Sequence, residues 1–227
     1  MNPERAPDIE ALFEPTSVIA MVVRGGAPES SLLPEERRLV HDVSDTRVRE
    51  FAAGRVAARG ALAELGAAPT AIVRTSRRAP IWPDDITGSI AHTTDMAVAV
   101  VATTTSVRVG IDIERVDRIT PRVQQRICTD AELEELETLA PDERRRHAAK
   151  IFCAKEAFYK AQHQLTESFV GFHEMTSSAV GDDLTLHATH RTPALARLEL
   201  PVTARFVTVE HLMIGAVAVG PSATTCA

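Results

Sequence analysis

The sequence predicts an α+β protein. Helix-period and strand-like segments are mixed in both halves of the chain, and the last part reads as successive strands and turns. This pattern favours α+β over a doubly wound parallel sheet. Residues 17–24 are apolar and β-branched and stop at Gly25-Gly26, a strand signature. Pro34 opens a helix through Val40, at a position where its missing N–H costs nothing. A second helix covers about residues 46–65, with Phe51, Val56, Leu62 and Leu65 as its buried stripe and Gly66 as its stop. Residues 76–87, rich in proline and arginine, read as an ordered loop. Residues 96–102 and 107–113 read as strands with a hairpin-like connection through 103–106. Thr129 and Glu132 have capping-box spacing and start an acidic helix. Pro141 restarts a helix that should run to about Gln164, and strands from Phe169 onward close with residues 212–219.

Composition narrows the function. A chain of 227 residues holds one sizeable core or two small packed halves, and its 44% hydrophobic and 25% charged content is that of a soluble protein. The longest apolar run, 96–102, is far short of the roughly 20 residues needed to span a bilayer. The first residues lack a secretory pattern, so a cytoplasmic location is expected, with no membrane partner. Cys128, Cys153 and Cys226 form no CxxC pair, and the first two read as buried apolar residues with Cys226 on a loose tail. The net charge of −6 argues against nucleic acid as a partner. Arginines nonetheless gather at 47–59 and at 74, 77 and 78, which suits an anionic ligand.

Three stretches carry chemistry. In Val109-Gly110-Ile111-Asp112-Ile113-Glu114, strand alternation turns Asp112 and Glu114 to one face and Ile111 and Ile113 to the other. Two carboxylates at the end of an apolar strand suit a hard cation such as Mg²⁺, or else a solvated end paired with Arg115 or Arg118. In the stretch from Phe152 to Lys160, Glu156 and Lys160 share a helix face and Lys155 borders it. The same spacing also describes an ordinary surface pair worth about 0.3–0.5 kcal/mol. After Trp82-Pro83, the run Gly88-Ser89-Ile90-Ala91-His92 offers close backbone approach and an imidazole for a phosphate oxygen or a base, or simply a structural histidine.

Taken in order, Trp-Pro, GSxxH, GxDxE and FxxKExxxK resemble the phosphopantetheinyl transferase superfamily, from about residue 33 to residue 172. More narrowly they are similar to the surfactin-synthetase-activating type, in the branch of enterobactin synthetase component D. The resemblance implies two similar α+β halves forming a pseudo-dimer, 1–105 with the adenosine and phosphate contacts and 106–227 with the metal site and catalytic helix. Coenzyme A would lie between them as substrate. It implies Mg²⁺, with Mn²⁺ as an alternative, held by Asp112, Glu114, Glu156 and the Ile113 backbone. Glu156 and Lys155 become the catalytic candidates, and Lys160 a basic position near the phosphates. Arg47, Arg55, Arg74, Thr75, Ser76, Arg77, Ala91 and His92 match positions that contact the cofactor, Arg74 keeping the charge of a common lysine with different geometry. The residues at 113, 153 and 154 depart from relatives without removing a ligand.

The implied reaction is attack by a serine of an apo acyl or peptidyl carrier protein on the β-phosphorus of coenzyme A, with adenosine 3',5'-bisphosphate as leaving group and a monomeric enzyme. Glu156 would be the base, directly or through water, and Lys155 would stabilise or protonate the leaving phosphate. Two other readings compete: a Mg²⁺-dependent phosphohydrolase on a nucleotide-like substrate, and a non-catalytic module that holds coenzyme A or a carrier. The first lacks a P-loop; the intact acids and lysines argue against the second.

Overall fold

A computed structural model describes residues 2–14, 16–103 and 106–223. The chain folds as two compact units, Met1–Thr105 and Ser106–Ala227. In each, one long helix lies on an antiparallel sheet.

The first unit runs β1 (Glu4–Arg5), α1 (Pro7–Glu10), β2 (Ile19–Arg24), α2 (Pro34–Arg37), α3 (Asp45–Glu64), β3 (Ile86–His92) and β4 (Met96–Thr103). Its sheet has the order β1-β2-β4-β3. The Ser44 side chain accepts from the Arg47 amide and starts α3. The buried face of α3 is built from alanines 52, 53, 57, 58 and 61, whose small side chains let it lie close to the sheet. Gly54 takes this furthest: a Cβ there would stand 2.9 Å from Ile90 Cγ2 of β3.

The second unit runs β5 (Arg108–Arg115), α4 (Pro121–Ile127), α5 (Asp130–Glu137), α6 (Pro141–Thr166), β6 (Met175–Val180), β7 (Asp183–Ala188), β8 (Val202–Val209) and β9 (Leu212–Val219). Its sheet has the order β5-β9-β8-β7-β6. Thr129 and Glu132 form the expected capping box of α5. Pro141 takes the first turn of α6, and Glu167 ends it in the left-handed region at φ 52°. Ile151, Cys153, Ala154, Ala157, Phe158 and Ala161 of α6 pack into the unit's core with Met213 and Val217 of β9.

Three expectations change. The helix opened by Pro34 ends at Arg37, after a single turn. Residues 86–92, read as the end of a loop and a ligand-approach run, form β3, whose glycine, serine and alanine carry little β-propensity but fit a buried strand edge-paired with β4. The strands at 96–103 and 108–115 are not hairpin partners, because β4 pairs with β2 and β3 while β5 pairs with β9. Thr104 and Thr105 of their connection lie outside the described residues, as does Cys226. Cys128 and Cys153 are buried and free, as expected.

The closest backbone approach in the second unit is at Gly110, where a Cβ would fall 1.9 Å from the Ala157 carbonyl oxygen. Only glycine lets α6 lie this low on β5. Gly110→Ala should therefore cost about 3 kcal/mol, a fall of roughly 6–12 °C in Tm by calorimetry; an unchanged Tm would contradict the close contact.

Candidate functional site

On β5, Gly110, Asp112 and Glu114 share the face that meets α6. The close approach at Gly110 brings Lys160 over the strand, where its Nζ donates to Asp112 Oδ1 at 2.6 Å and to the Ile111 carbonyl at 3.0 Å. Lys160 thus bonds with Asp112, 48 residues away, in addition to sharing a helix face with Glu156. The other carboxylate oxygen of Asp112, Oδ2, is buried with no hydrogen-bond partner among the described residues.

The electrostatics follow from this crowding. Burial raises the Asp112 pKa, and the charge and hydrogen bond of Lys160 offset part of that rise. Burial opposes the charge on Lys160, but the Asp112 carboxylate outweighs it and the ammonium is held more tightly protonated. Glu114 is pushed up to about 7, first by burial and then by the negative charge of Asp112. Glu156 is raised by burial and by Asp112, while Lys160 and Arg126 pull it down. Neither Glu114 nor Glu156 accepts a side-chain hydrogen bond from the described residues. Three carboxylates thus act on one another around a single lysine.

These donors fit a hard divalent cation. The orphaned Asp112 Oδ2 calls for a positive partner, and all three groups are oxygen ligands of the kind Mg²⁺ takes. Among the described residues no three acids, histidines or cysteines are already drawn into a ligand cluster, so the protein alone does not close the cage. Ile113 is in register with Ile214 across the ladder, its side chain buried. Two hollows flank Glu156. One, about 310 Å³, is bordered by Glu114, Arg118, Arg126 and Phe152. The other, about 140 Å³, is apolar and bordered by Tyr159, Phe169, Val170 and Met175. Arg126 escaped the sequence reading because nothing local ties it to Glu156, and Arg118 entered it only as an alternative partner for the acids of the strand end.

Lys155 also borders the smaller hollow, but its ammonium is turned to other partners. It is 3% exposed, and its Nζ donates to the Ile127 carbonyl at 2.9 Å and to Glu132 Oε2 at 2.6 Å. A role on a leaving phosphate would require it to abandon both.

In the first unit, packing at Gly54 sets α3 beside the end of β3. Arg47 Nη1 donates to Glu50 Oε2 at 3.2 Å, and His92 Nδ1 lies 3.5 Å from the same oxygen. Arg47 and His92 therefore meet at one carboxylate, which the sequence reading missed. Ala91 is buried. Arg55 points inward: its Nε donates to the Ile72 carbonyl at 2.7 Å, its guanidinium lies 4.1 Å from the Phe51 ring centroid, and burial lowers its pKa to about 10. That placement suits a tie within the unit better than a phosphate contact. Arg74 donates to the Leu39 carbonyl and pairs with Pro80 in an isolated bridge, so that Thr75, Ser76 and Arg77 are exposed at the tip of a turn.

Carboxylates are thus crowded beside a lysine and two arginines, a charge arrangement of the class that handles polyanions and hard cations. The sequence comparisons agree with that class. Residues 35–102 match the 4'-phosphopantetheinyl transferase N-terminal domain, and residues 108–206 match the 4'-phosphopantetheinyl transferase superfamily. The chain is 33% identical over 204 residues to 4'-phosphopantetheinyl transferase Svp of Streptomyces mobaraensis, covering 87% of this chain and 82% of that one. It is 39% identical to 4'-phosphopantetheinyl transferase Npt of Nocardia iowensis and 38% identical to 4'-phosphopantetheinyl transferase PptT of Mycobacterium tuberculosis. Those matches cover 62% and 65% of this chain and span 63% and 65% of the relatives' lengths. The chain belongs to the 4'-phosphopantetheinyl transferase superfamily. No helix among the described residues is long and apolar enough to cross a membrane.

The raised Glu114 sets a pH dependence. Between the ordinary carboxylate value of 4.5 and about 7 the folded state holds a proton that the unfolded state has lost, so stability should fall as pH rises through that window. Urea unfolding of divalent-free protein at pH 5 and pH 7.5 should show the fall, and Glu114→Gln should flatten it; an equal slope in the variant would contradict the assignment.

Proposed function

We propose that this protein transfers the 4'-phosphopantetheine arm of coenzyme A to a serine of an acyl or peptidyl carrier protein and releases adenosine 3',5'-bisphosphate. The observation that carries the reading is the meeting of Asp112, Glu114 and Glu156 around Lys160, beside a hollow that also presents Arg118 and Arg126. Membership of the superfamily supports it.

The serine oxygen attacks the β-phosphorus of coenzyme A, a new P–O bond forms, and the bond to the adenosine-bearing phosphate breaks. Glu156 takes the serine proton: burial and the neighbouring Asp112 raise its proton affinity toward what a base near neutrality needs. Lys160 holds Asp112 in place and keeps a positive charge beside the reacting diphosphate, where fixed charge acts with little reorganisation. Arg118 and Arg126 offer guanidinium donors to phosphate oxygens from the same hollow. A divalent ion held by Asp112, Glu114, Glu156 and the Ile113 backbone, Mg²⁺ or Mn²⁺, would neutralise charge on the diphosphate. Arg47, His92 and the exposed 75–77 tip, with Arg74 behind it, are the candidates for the bisphosphate and adenosine end. A monomer working in the cytoplasm completes the proposal.

Mass spectrometry of an apo carrier protein incubated with enzyme, coenzyme A and Mg²⁺ tests the reaction. A gain of about 340 Da on the carrier is expected; phosphate release without that gain would decide for hydrolysis, and neither product would decide for a non-catalytic binder. Asp112→Ala and Glu156→Gln should each slow transfer by at least about a hundredfold, and wild-type rates in either would remove that residue from the chemistry.

A further inference from the structure

The carboxylate of Glu132 is almost fully buried and saturated with donors. Oε2 accepts from the Thr129 amide at 2.7 Å and from Lys155 at 2.6 Å, and Oε1 accepts from the Ser177 amide at 2.8 Å and its hydroxyl at 2.6 Å. Three elements therefore meet on one side chain: the start of α5, the middle of α6 and the strand β6. Lys155 adds a fourth by donating to the carbonyl of Ile127, the last residue of α4.

The first unit contains the same device. Glu36, at the third position of the short helix α2, is fully buried. Its Oε2 accepts from the Leu33 amide at 3.0 Å and from Arg59 of the long helix α3, and its Oε1 accepts from the Ile72 amide at 3.0 Å. Short helix, long-helix cation and a backbone amide that follows the long helix recur in the same chain order. In the first unit the clasp sits among Leu33, Arg59 and Ile72, without the strand carboxylates that distinguish β5.

We propose that Lys155 is a positioning residue, and that its clasp with Glu132 and Ile127 fixes where the next residue, Glu156, and the neighbouring Arg126 stand, without acting on the phosphate itself. The proposal rests on the transfer reading above. The chain of cause is short. Ile127 follows Arg126, whose charge reaches Glu156, and Lys155 precedes Glu156 on α6, so the clasp holds both sides of the hollow in register. Loosening it would shift the base relative to its target, and misplacement of about 1 Å can cost about a hundredfold in rate.

The test compares wild type, Glu132→Gln, Lys155→Met and the double variant for transfer from coenzyme A to an apo acyl carrier protein with Mg²⁺, together with Tm. Glu132→Gln and Lys155→Met should each lower kcat by roughly ten- to a hundredfold, with KM for coenzyme A changed by less than about threefold. Lys155→Met should lower Tm by roughly 6–20 °C, because it strands a buried carboxylate. Removing both charges should recover most of the lost Tm and leave kcat no lower than in the worse single variant. A lysine acting directly on the phosphate predicts otherwise: Glu132→Gln frees it and keeps kcat at the wild-type level, or the two losses multiply in the double variant. Either result overturns the proposal. Should Lys155→Met fail to fold, Glu132→Gln decides by itself. If the wild type transfers nothing, the proposed function fails, while the Tm pattern still reports whether the clasp exists.

Discussion

The packing of α6 against β5 is the constraint on which the site depends. Gly110 removes the Cβ that would otherwise strike the Ala157 carbonyl, and the helix settles low enough for Lys160 to reach Asp112. A carboxylate as buried as Asp112 is tolerated because a cation is delivered to one of its oxygens. Its second oxygen has no hydrogen-bond partner within normal geometry among the described residues. Strand, glycine and lysine thus concentrate buried negative charge in one place, which is what the proposed metal ion would answer.

Buried charge also organises the scaffold. Glu36 with Arg59 and Glu132 with Lys155 each tie a short helix to a long one, and each carboxylate also accepts from one backbone amide three residues before it and one further along the chain. Breaking such a pair costs more than replacing it whole, so these clasps favour one arrangement of elements over slightly shifted ones. In the second unit the clasp is made by Lys155, the residue before Glu156 on α6. Glu132 on α5 and Glu156 on α6 therefore divide the labour: Glu132 is consumed by structure, while Glu156 borders the hollow.

Local patterns made much of this legible. Strand alternation put Asp112 and Glu114 together, the threonine-to-glutamate spacing announced the start of α5, and the long helix from Pro141 stood out by length and period. What stayed hidden was non-local. Glu156 and Lys160 are neighbours by helical spacing, yet the hydrogen bonds of Lys160 go to β5. Lys155 looked available for chemistry because its partner lies 23 residues away and its burial is a product of packing. Arg55 was expected at the phosphates because it matches a family position, whereas its Nε donates to the Ile72 carbonyl. β3 was lost because Gly88 and Ser89 lack the branched side chains by which strands are recognised.

The central claim is that Asp112, Glu114 and Glu156 serve one divalent ion. Crystals grown with coenzyme A and Mn²⁺ test it most directly, through the anomalous signal of the metal. The account predicts a single strong peak within coordination distance of oxygens from all three side chains and of the coenzyme A diphosphate. A peak bound by none of the three, or a diphosphate lying away from them with the acids unliganded, would contradict it.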